Sequence, residues 1–354
     1  MEKNEKDLLQ YVGDIRQVCG IKEYELTSGK ARGMRALDVK NGSGIELTVL
    51  PDRCLDIGNL SFMGVNCSFL SKTGFVAPGY YNESVKGFMR GFFGGFMTTC
   101  GLRNVGNACQ DGGESFEMHG RVSHIPAEEV CATTDWEGGR PVMTVSGKVR
   151  ESTFFGENVL LERKIRCVYG ENRIRIENRV ENQGFKPEII MTLFHFNLGY
   201  PLLNEEAVLL LPGNAVEPRD AEAAKGIHAW HQMQPPTHAY AEQVFYHDLK
   251  TDEEGNTCVA LVNPRLELAI VFRFSKKQFF NLAQWKQMGE SEYVLGIEPG
   301  NCYVGGRLDP RNQKVIPTVE PGGSLNFDVE VDFVVGQSNI SELESLFTTK
   351  YTKK

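Results

Sequence analysis

Alternation with a period of two runs through most of this chain and leaves little room for helices. NVLLERKIRCVYGENRIRIENRVENQGF (158–185) sets apolar residues at every second position on both sides of Tyr169-Gly170-Glu171-Asn172, the pattern of two half-buried strands joined as a hairpin. MRALDVKNGSGIELTVLPDRCLDIGNL (34–60) reads as several short strands with tight turns, one at Asn41-Gly42 and the next at Gly64. CVALVNPRLELAIVFRF (258–274) and SLNFDVEVDFVVG (324–336) extend the pattern towards the C-terminus. Many antiparallel strands without recurrent βαβ spacing predict an all-β, mainly antiparallel sandwich, and no repeat of fixed short period argues for a propeller. Large all-β architectures run well past the usual domain length, so 354 residues are expected to form a single domain over 1–354. Helical spacing is confined to the ends. DLLQYVGDIRQVC (7–19) predicts an amphipathic helix within an N-terminal extension (1–19), and a C-terminal helix is expected over 337–354, where Ser341 stands three residues before Glu344 in capping-box spacing.

Composition narrows the classes of function. Hydrophobic residues at 41% and charged residues at 24% supply a sizeable core on a soluble chain. A formal charge of −8 argues against nucleic acid or an anionic membrane as partner, because phosphate binding draws on a basic excess. The N-terminus MEKNEKDLLQ lacks an apolar signal region, and no stretch has the length of a membrane span, so the expected location is cytoplasmic. Nine cysteines without a C-x-x-C pair indicate neither a disulfide framework nor a zinc ribbon and read as small buried hydrophobes. G-x-S-x-G, G-x-x-x-x-G-K and G-x-G-x-x-G are all missing, which leaves acid–base chemistry.

Three stretches carry candidates for that chemistry. In MTLFHFNLGYP (191–201) alternation sends Thr192, Phe194, Phe196 and Leu198 to the core and His195 and Asn197 to the other face, where polarity rises towards the strand end. In YVLGIEPGN (293–301) Tyr293, Leu295 and Ile297 share one face and Val294, Gly296 and Glu298 the other, with Pro299 ending the ladder. Glu298 then tops a buried strand above a residue without a side chain. A carboxyl group there needs a hydrogen-bond partner or an upward pKa shift, and a ligand hydroxyl is one such partner. The bland reading is an arginine-paired structural glutamate. EMHGRVSHIPA (117–127) offers His119 and His124, whose odd separation puts them on opposite faces of a continuous strand and disfavours a shared metal. Residues 70–113, with ten glycines among many aromatics, are expected to form a long irregular excursion, either approaching a ligand or packed by its own phenylalanines.

At these residues the chain resembles the aldose 1-epimerase (galactose mutarotase-like) superfamily, and most closely its DUF4432 branch. The resemblance covers roughly residues 20–336 and rests on PDRCLDIG (51–58), GGFMTTCGLRNVG (94–106), MHGRVSHIPA (118–127), FHFNLGYP (194–201) and QWKQMGESEYVLGIEPGN (284–301). It implies a β-supersandwich over 20–336 whose concave face binds a monosaccharide and interconverts its anomers. The matching motifs imply that His195 is the general acid at the ring oxygen, Glu298 the base at the anomeric hydroxyl, and His119 a holder of sugar oxygens. Ring opening needs one proton removed and one delivered, so this set works without metal or cofactor.

The chain departs from the pattern with Arg121 after His119-Gly120, and Arg53 stands in a different local motif from the family's early arginine. The family's sugar-gripping aspartate has no clear counterpart. Trp285 offers a stacking platform and Lys286 a charge, on opposite sides of one strand. With Arg53, Arg121 and Lys286 as cations, an anionic sugar enters the list of substrates, against pairing of those cations with the chain's own acids. Substrate-binding candidates are therefore Arg53, Arg121, His124, Asn197, Trp285 and Lys286. A carbohydrate-binding protein without turnover is the competing class, ahead of a polysaccharide lyase or glycoside hydrolase, which usually needs two facing carboxylates. The sequence leaves the sugar's identity and the oligomeric state open.

Overall fold

The computed structural model describes residues 8–82 and 86–349. As the alternation predicts, the fold is mostly antiparallel β-structure in two large sheets, one of eleven strands and one of nine. The hairpin read from 158–185 is formed by Asn158–Val168 and Arg173–Asn182, with Cys167 opposite Ile174 next to the turn. Arg35–Lys40, Ile45–Leu50 and Asp56–Phe62 are the short strands expected around Asn41-Gly42. Alternation along them buries Leu37, Val39, Leu47, Val49, Ile57 and Leu60 against Ile165, Ile174, Ile176 and Val180 of the other sheet, in one continuous apolar core. Seven of the nine cysteines are buried.

Within that core Arg163 and Asp56 form a fully buried ion pair at 2.9 Å. Arg163 also donates to Cys54 O, Asn178 Oδ1 and Thr99 Oγ1, at 2.9, 2.7 and 2.7 Å. Burying two charges is costly unless the remaining donors are satisfied, as they are here. The network ties the nine-stranded sheet to the Met97–Leu102 strand of the other, one of those that carry the site.

A second, smaller apolar cluster lies on the opposite face of the eleven-stranded sheet and gathers Cys100, Met191, Leu193, Val244, Ala283, Cys302 and Val304 under Phe88 and Phe92 of the Gly87–Gly91 helix and its C-cap. The Gly-rich stretch is thus only partly irregular. Within it, Met97–Leu102 is a fully buried strand in the middle of the sheet, where Gly101 lets the backbone pass close to Met191 O while Met97, Cys100 and Leu102 pack.

The ends differ from expectation in detail. Over 7–19 the continuous helix is absent: the described helical residues end at Leu9, and a separate 3-10 turn follows at Ile15–Gln17, which Asp14 caps by accepting from the Arg16 amide. Residues 1–7 lie outside the described residues. The C-terminal helix spans Gln337–Thr349, so Ser341 sits inside it and does not cap it; the turn enters from Gly336, whose carbonyl accepts from Ile340. Ile340 and Leu343 seal the outer face of Cys258, Ala260, Val262 and Val271. Residues 350–354 of the expected helix lie outside the described residues. No described helix is long and apolar enough to cross a membrane.

Candidate functional site

Five consecutive strands of the larger sheet build the site: Met97–Leu102, Met191–Leu198, Glu292–Gly300, Asn281–Gly289 and Gln243–Leu249. Register decides which side chains meet. Asn197 pairs with Gly296, Gly296 with Trp285, and Glu298 with Ala283. Period-two alternation then places His195, Glu298 and Trp285 together on the face turned away from the main core. The Glu292–Gly300 strand continues one residue beyond Pro299, since Asn281 still pairs with Gly300.

Gly296 lies at the centre of this convergence. A Cβ there would stand 2.6 Å from Glu298 Oε1, 2.9 Å from Trp285 Cβ and 3.2 Å from His195 Cε1. Its missing side chain is the space in which the imidazole and the carboxyl group approach. His195 Nε2 lies 3.2 Å from Glu298 Oε1, yet Oε1 accepts no well-directed hydrogen bond, and His195 Nδ1 and His119 Nδ1 are likewise buried without a partner. Three orphaned polar atoms in one place call for an explanation, because nearly all buried polar groups are satisfied.

His119 reaches the site from a loop. Its φ of 57° is a left-handed conformation uncommon for a residue with a side chain, held by its amide to Gly106 O and by its carbonyl from Gly101 N, both at 2.9 Å. Gly120 follows at φ 71°, where a Cβ would come within 2.0 Å of Gly101 O. The rings of His119 and His195 stand 6.0 Å apart, and Phe88 packs on His119 at 4.9 Å.

These groups open onto a cavity of about 230 Å³ lined by His119, His195, Glu298 and Trp285. That is below the ~300–1,000 Å³ of pockets that take drug-sized molecules, so the space suits a smaller ligand. A larger hollow of about 940 Å³ over Gly20–Glu25, Arg35–Lys40 and Ile45–Leu50 has surface lysines and acids but no buried acid–base group. The candidate acid–base groups line the smaller one.

Burial sets the protonation states. Loss of hydration pushes Glu298 up to about 8, with Glu242 raising it further and Arg219 opposing. The same cause pulls His195 down to about 3, with His119 adding to it, and His119 down to about 4, aided by Arg219. Around neutral pH the Glu298–His195 pair therefore holds a single proton.

Two charged residues of the lining have no signal in the sequence. Arg219 and Glu242 form an ion pair at 3.0 Å; Arg219 also binds Asp220 at 2.8 Å, and Glu242 accepts from Trp285 Nε1 at 2.7 Å. Both follow or precede strand ends in polar stretches, VEPRDAE and YAEQV, that resemble any solvated loop. Phe88, Phe92, Met118 and Asn107 join the cavity in the same unannounced way.

The structure takes the remaining predicted residues elsewhere. Arg53 is buried and donates to three backbone carbonyls, of Ser123, Val76 and Gly91. Lys286 points to the far side of its strand, as alternation requires, and donates to Ala229 O and Gln232 O at 2.9 and 2.7 Å. Burial lowers it to about 8. Asn197 lies beneath the site and donates to Gly94 O and His195 O, so it supports the His195 strand. His124 is buried in a 3-10 turn and stacks on Tyr81 at 4.0 Å. Arg121 acts electrostatically on buried Glu151. None of these five lines the cavity.

Comparisons with known proteins agree with this architecture. The family model described as a domain of unknown function, DUF4432, matches residues 31–333. A provisionally named aldose 1-epimerase from Klebsiella pneumoniae superposes with a TM-score of 0.90 at 25% identity, covering 99% of this chain and 91% of its own. A galactose mutarotase-like protein from Clostridium acetobutylicum gives 0.63 at 12% identity, covering 90% of this chain and 100% of its own. Galactose 1-epimerase from Lactobacillus acidophilus gives 0.59 at 13% identity with the same coverage. No curated protein matches the chain.

Proposed function

The chain belongs to the DUF4432 family, and from that premise we propose that it binds an uncharged monosaccharide and interconverts its anomers by acid–base ring opening. Glu298 takes the anomeric hydroxyl proton, His195 delivers a proton to the ring oxygen, and His119 holds the oxygen at C1. Rotation about C1–C2 and reclosure give the other anomer, with acid and base exchanging roles. One observation carries this reading. Two proton-transfer groups 3.2 Å apart, both buried and both with an unpartnered atom, border a cavity suited to one sugar ring. The solved structure at 25% identity, provisionally named an aldose 1-epimerase, is in keeping with the same chemistry.

An uncharged sugar fits better than an anionic one. Arg53, Arg121 and Lys286 lie outside the cavity, and Arg219, which lines it, is already faced by two carboxylates, Asp220 and Glu242. A thermal-shift screen over neutral aldoses, uronates and sugar phosphates, followed by saturation-transfer NMR between anomers, tests the proposal. Binding of a neutral aldose with accelerated exchange is the expected result; binding without exchange would assign the protein to the carbohydrate-binding class.

Gly296 supplies a prediction of its own. In Gly296→Ala the new methyl must displace the Glu298 carboxyl or Trp285, because both stand closer than ordinary contact. Misplacement of a reacting group by under an ångström is enough to reduce anomer exchange by about tenfold or more. Thermal unfolding of the variant should still be cooperative, and a rate within threefold of the parent would contradict the assigned geometry.

A further inference from the structure

The cavity has more apolar wall than the stacking face of a common hexose requires. Trp285 and Val244 come from neighbouring strands of the sheet, Phe88, Met89 and Phe92 from the Gly87–Gly91 helix and its C-cap, and Met118 and Val304 from loops. Apolar groups thus enter from three directions. The polar side chains besides the reacting pair are His119, Asn107, Arg219 and Glu242.

We propose that the substrate is a 6-deoxyhexose, a pyranose bearing a methyl group at C5 where a common hexose bears a hydroxymethyl arm. The inference rests on the acid–base assignment above. With the ring oxygen at His195 and C1 towards Glu298, C5 falls on the other side of the ring oxygen. The remaining rings packed on His195 are Phe92 at 5.3 Å and Trp285 at 5.4 Å, and these two lie 6.3 Å from each other. Neither offers a polar partner to an arm at C5, since the single polar atom of Trp285 is taken by Glu242 at 2.7 Å. A hydroxyl packed against Phe92, which is buried, and the face of the Trp285 ring gains a hydrogen bond from neither, whereas a methyl group fills apolar space. The ring hydroxyls at C2 to C4 keep Asn107, Arg219 and Glu242 as partners.

Sugars that differ only at C5 provide the test, using the full chain. L-Arabinose, D-fucose and D-galactose share one ring stereochemistry and carry hydrogen, methyl and hydroxymethyl in turn; D-xylose, D-quinovose and D-glucose form a second series, and the mirror-image sugars two more. In the series whose ring fits, kcat/KM for anomer exchange is expected to be about tenfold or more higher for the methyl member than for the hydroxymethyl member, and higher than for the pentose. Equal or reversed values in every series would overturn the inference while leaving the anomer reading intact, and would mean that the arm reaches Arg219 or Glu242. If no member exchanges, the anomer reading fails, and dissociation constants from ligand-observed NMR decide the inference by the same order. Absence of binding to every member overturns both.

Discussion

Glu298→Gln is expected to lower the rate of anomer exchange by about 10²–10⁴, the value of one positioned proton transfer, while sugar binding changes by no more than a few-fold. The amide has the shape of the carboxyl group and keeps a hydrogen-bonding oxygen, but it cannot carry a proton to or from a sugar hydroxyl. Effects on folding separate the catalytic from the structural account. Burial drives Glu298 up to about 8, so the fold does not favour its charged form, and the group makes no hydrogen bond that a glutamine would lose. The variant should therefore melt at or slightly above the temperature of the parent. Saturation-transfer NMR for exchange, ligand-observed NMR for binding and calorimetry for stability read these three quantities. Exchange at the parental rate would remove Glu298 from the reaction. A large loss of stability would instead identify it as a structural carboxyl.

The parts of this site that were legible beforehand are those governed by strand alternation. A histidine inside MTLFHFNL and a glutamate before Pro299 each lie on a face that period two fixes within its own strand, and the pairing of the two strands then brings those faces together. Gly296 was visible for the same reason. What alternation does not fix is which charge is neutralised by backbone. Arg53 and Lys286 look like free cations in the chain, yet folding surrounds each with carbonyl oxygens contributed by residues far away in sequence. Arg219 and Glu242 were hidden by the opposite circumstance. Their loops read as solvated, and only closure of neighbouring strands brings them against Trp285. The N-terminal helix expected over 7–19 is not continuous: its described helical residues end at Leu9, and the Asp14 side chain caps a separate turn at Ile15–Gln17, which apolar spacing does not show. Local pattern located the candidate acid–base groups; tertiary contacts alone chose the residues that line the rest of the cavity.

Anomer exchange should be nearly constant through neutral pH and should fall on the alkaline side with a midpoint of about 8. The sign follows from counting protons on the pair. Burial raises Glu298 and lowers His195, so between about 3 and about 8 the two groups together hold one proton. The reaction needs that number, because one partner must receive a proton while the other donates one. Raising the pH past the upper value removes the shared proton and leaves a base without an acid, and the rate should drop about tenfold for each further pH unit, or roughly a hundredfold by pH 10. Lowering the pH to the lower value adds a second proton and leaves an acid without a base. With His195 Nε2 and Glu298 Oε1 only 3.2 Å apart, the limbs belong to the pair and not to either residue. In the resting pair burial keeps the proton on the carboxyl group. Productive binding requires its transfer to the imidazole, and a sugar hydroxyl donating to the carboxylate supplies the hydrogen bond that the unliganded site lacks. The profile can be measured with kcat/KM from pH 4 to 10, after subtraction of the uncatalysed rate at each pH. An activity that rises steadily through pH 8 would mean that an ionised carboxylate alone does the chemistry, and would remove His195 as the acid.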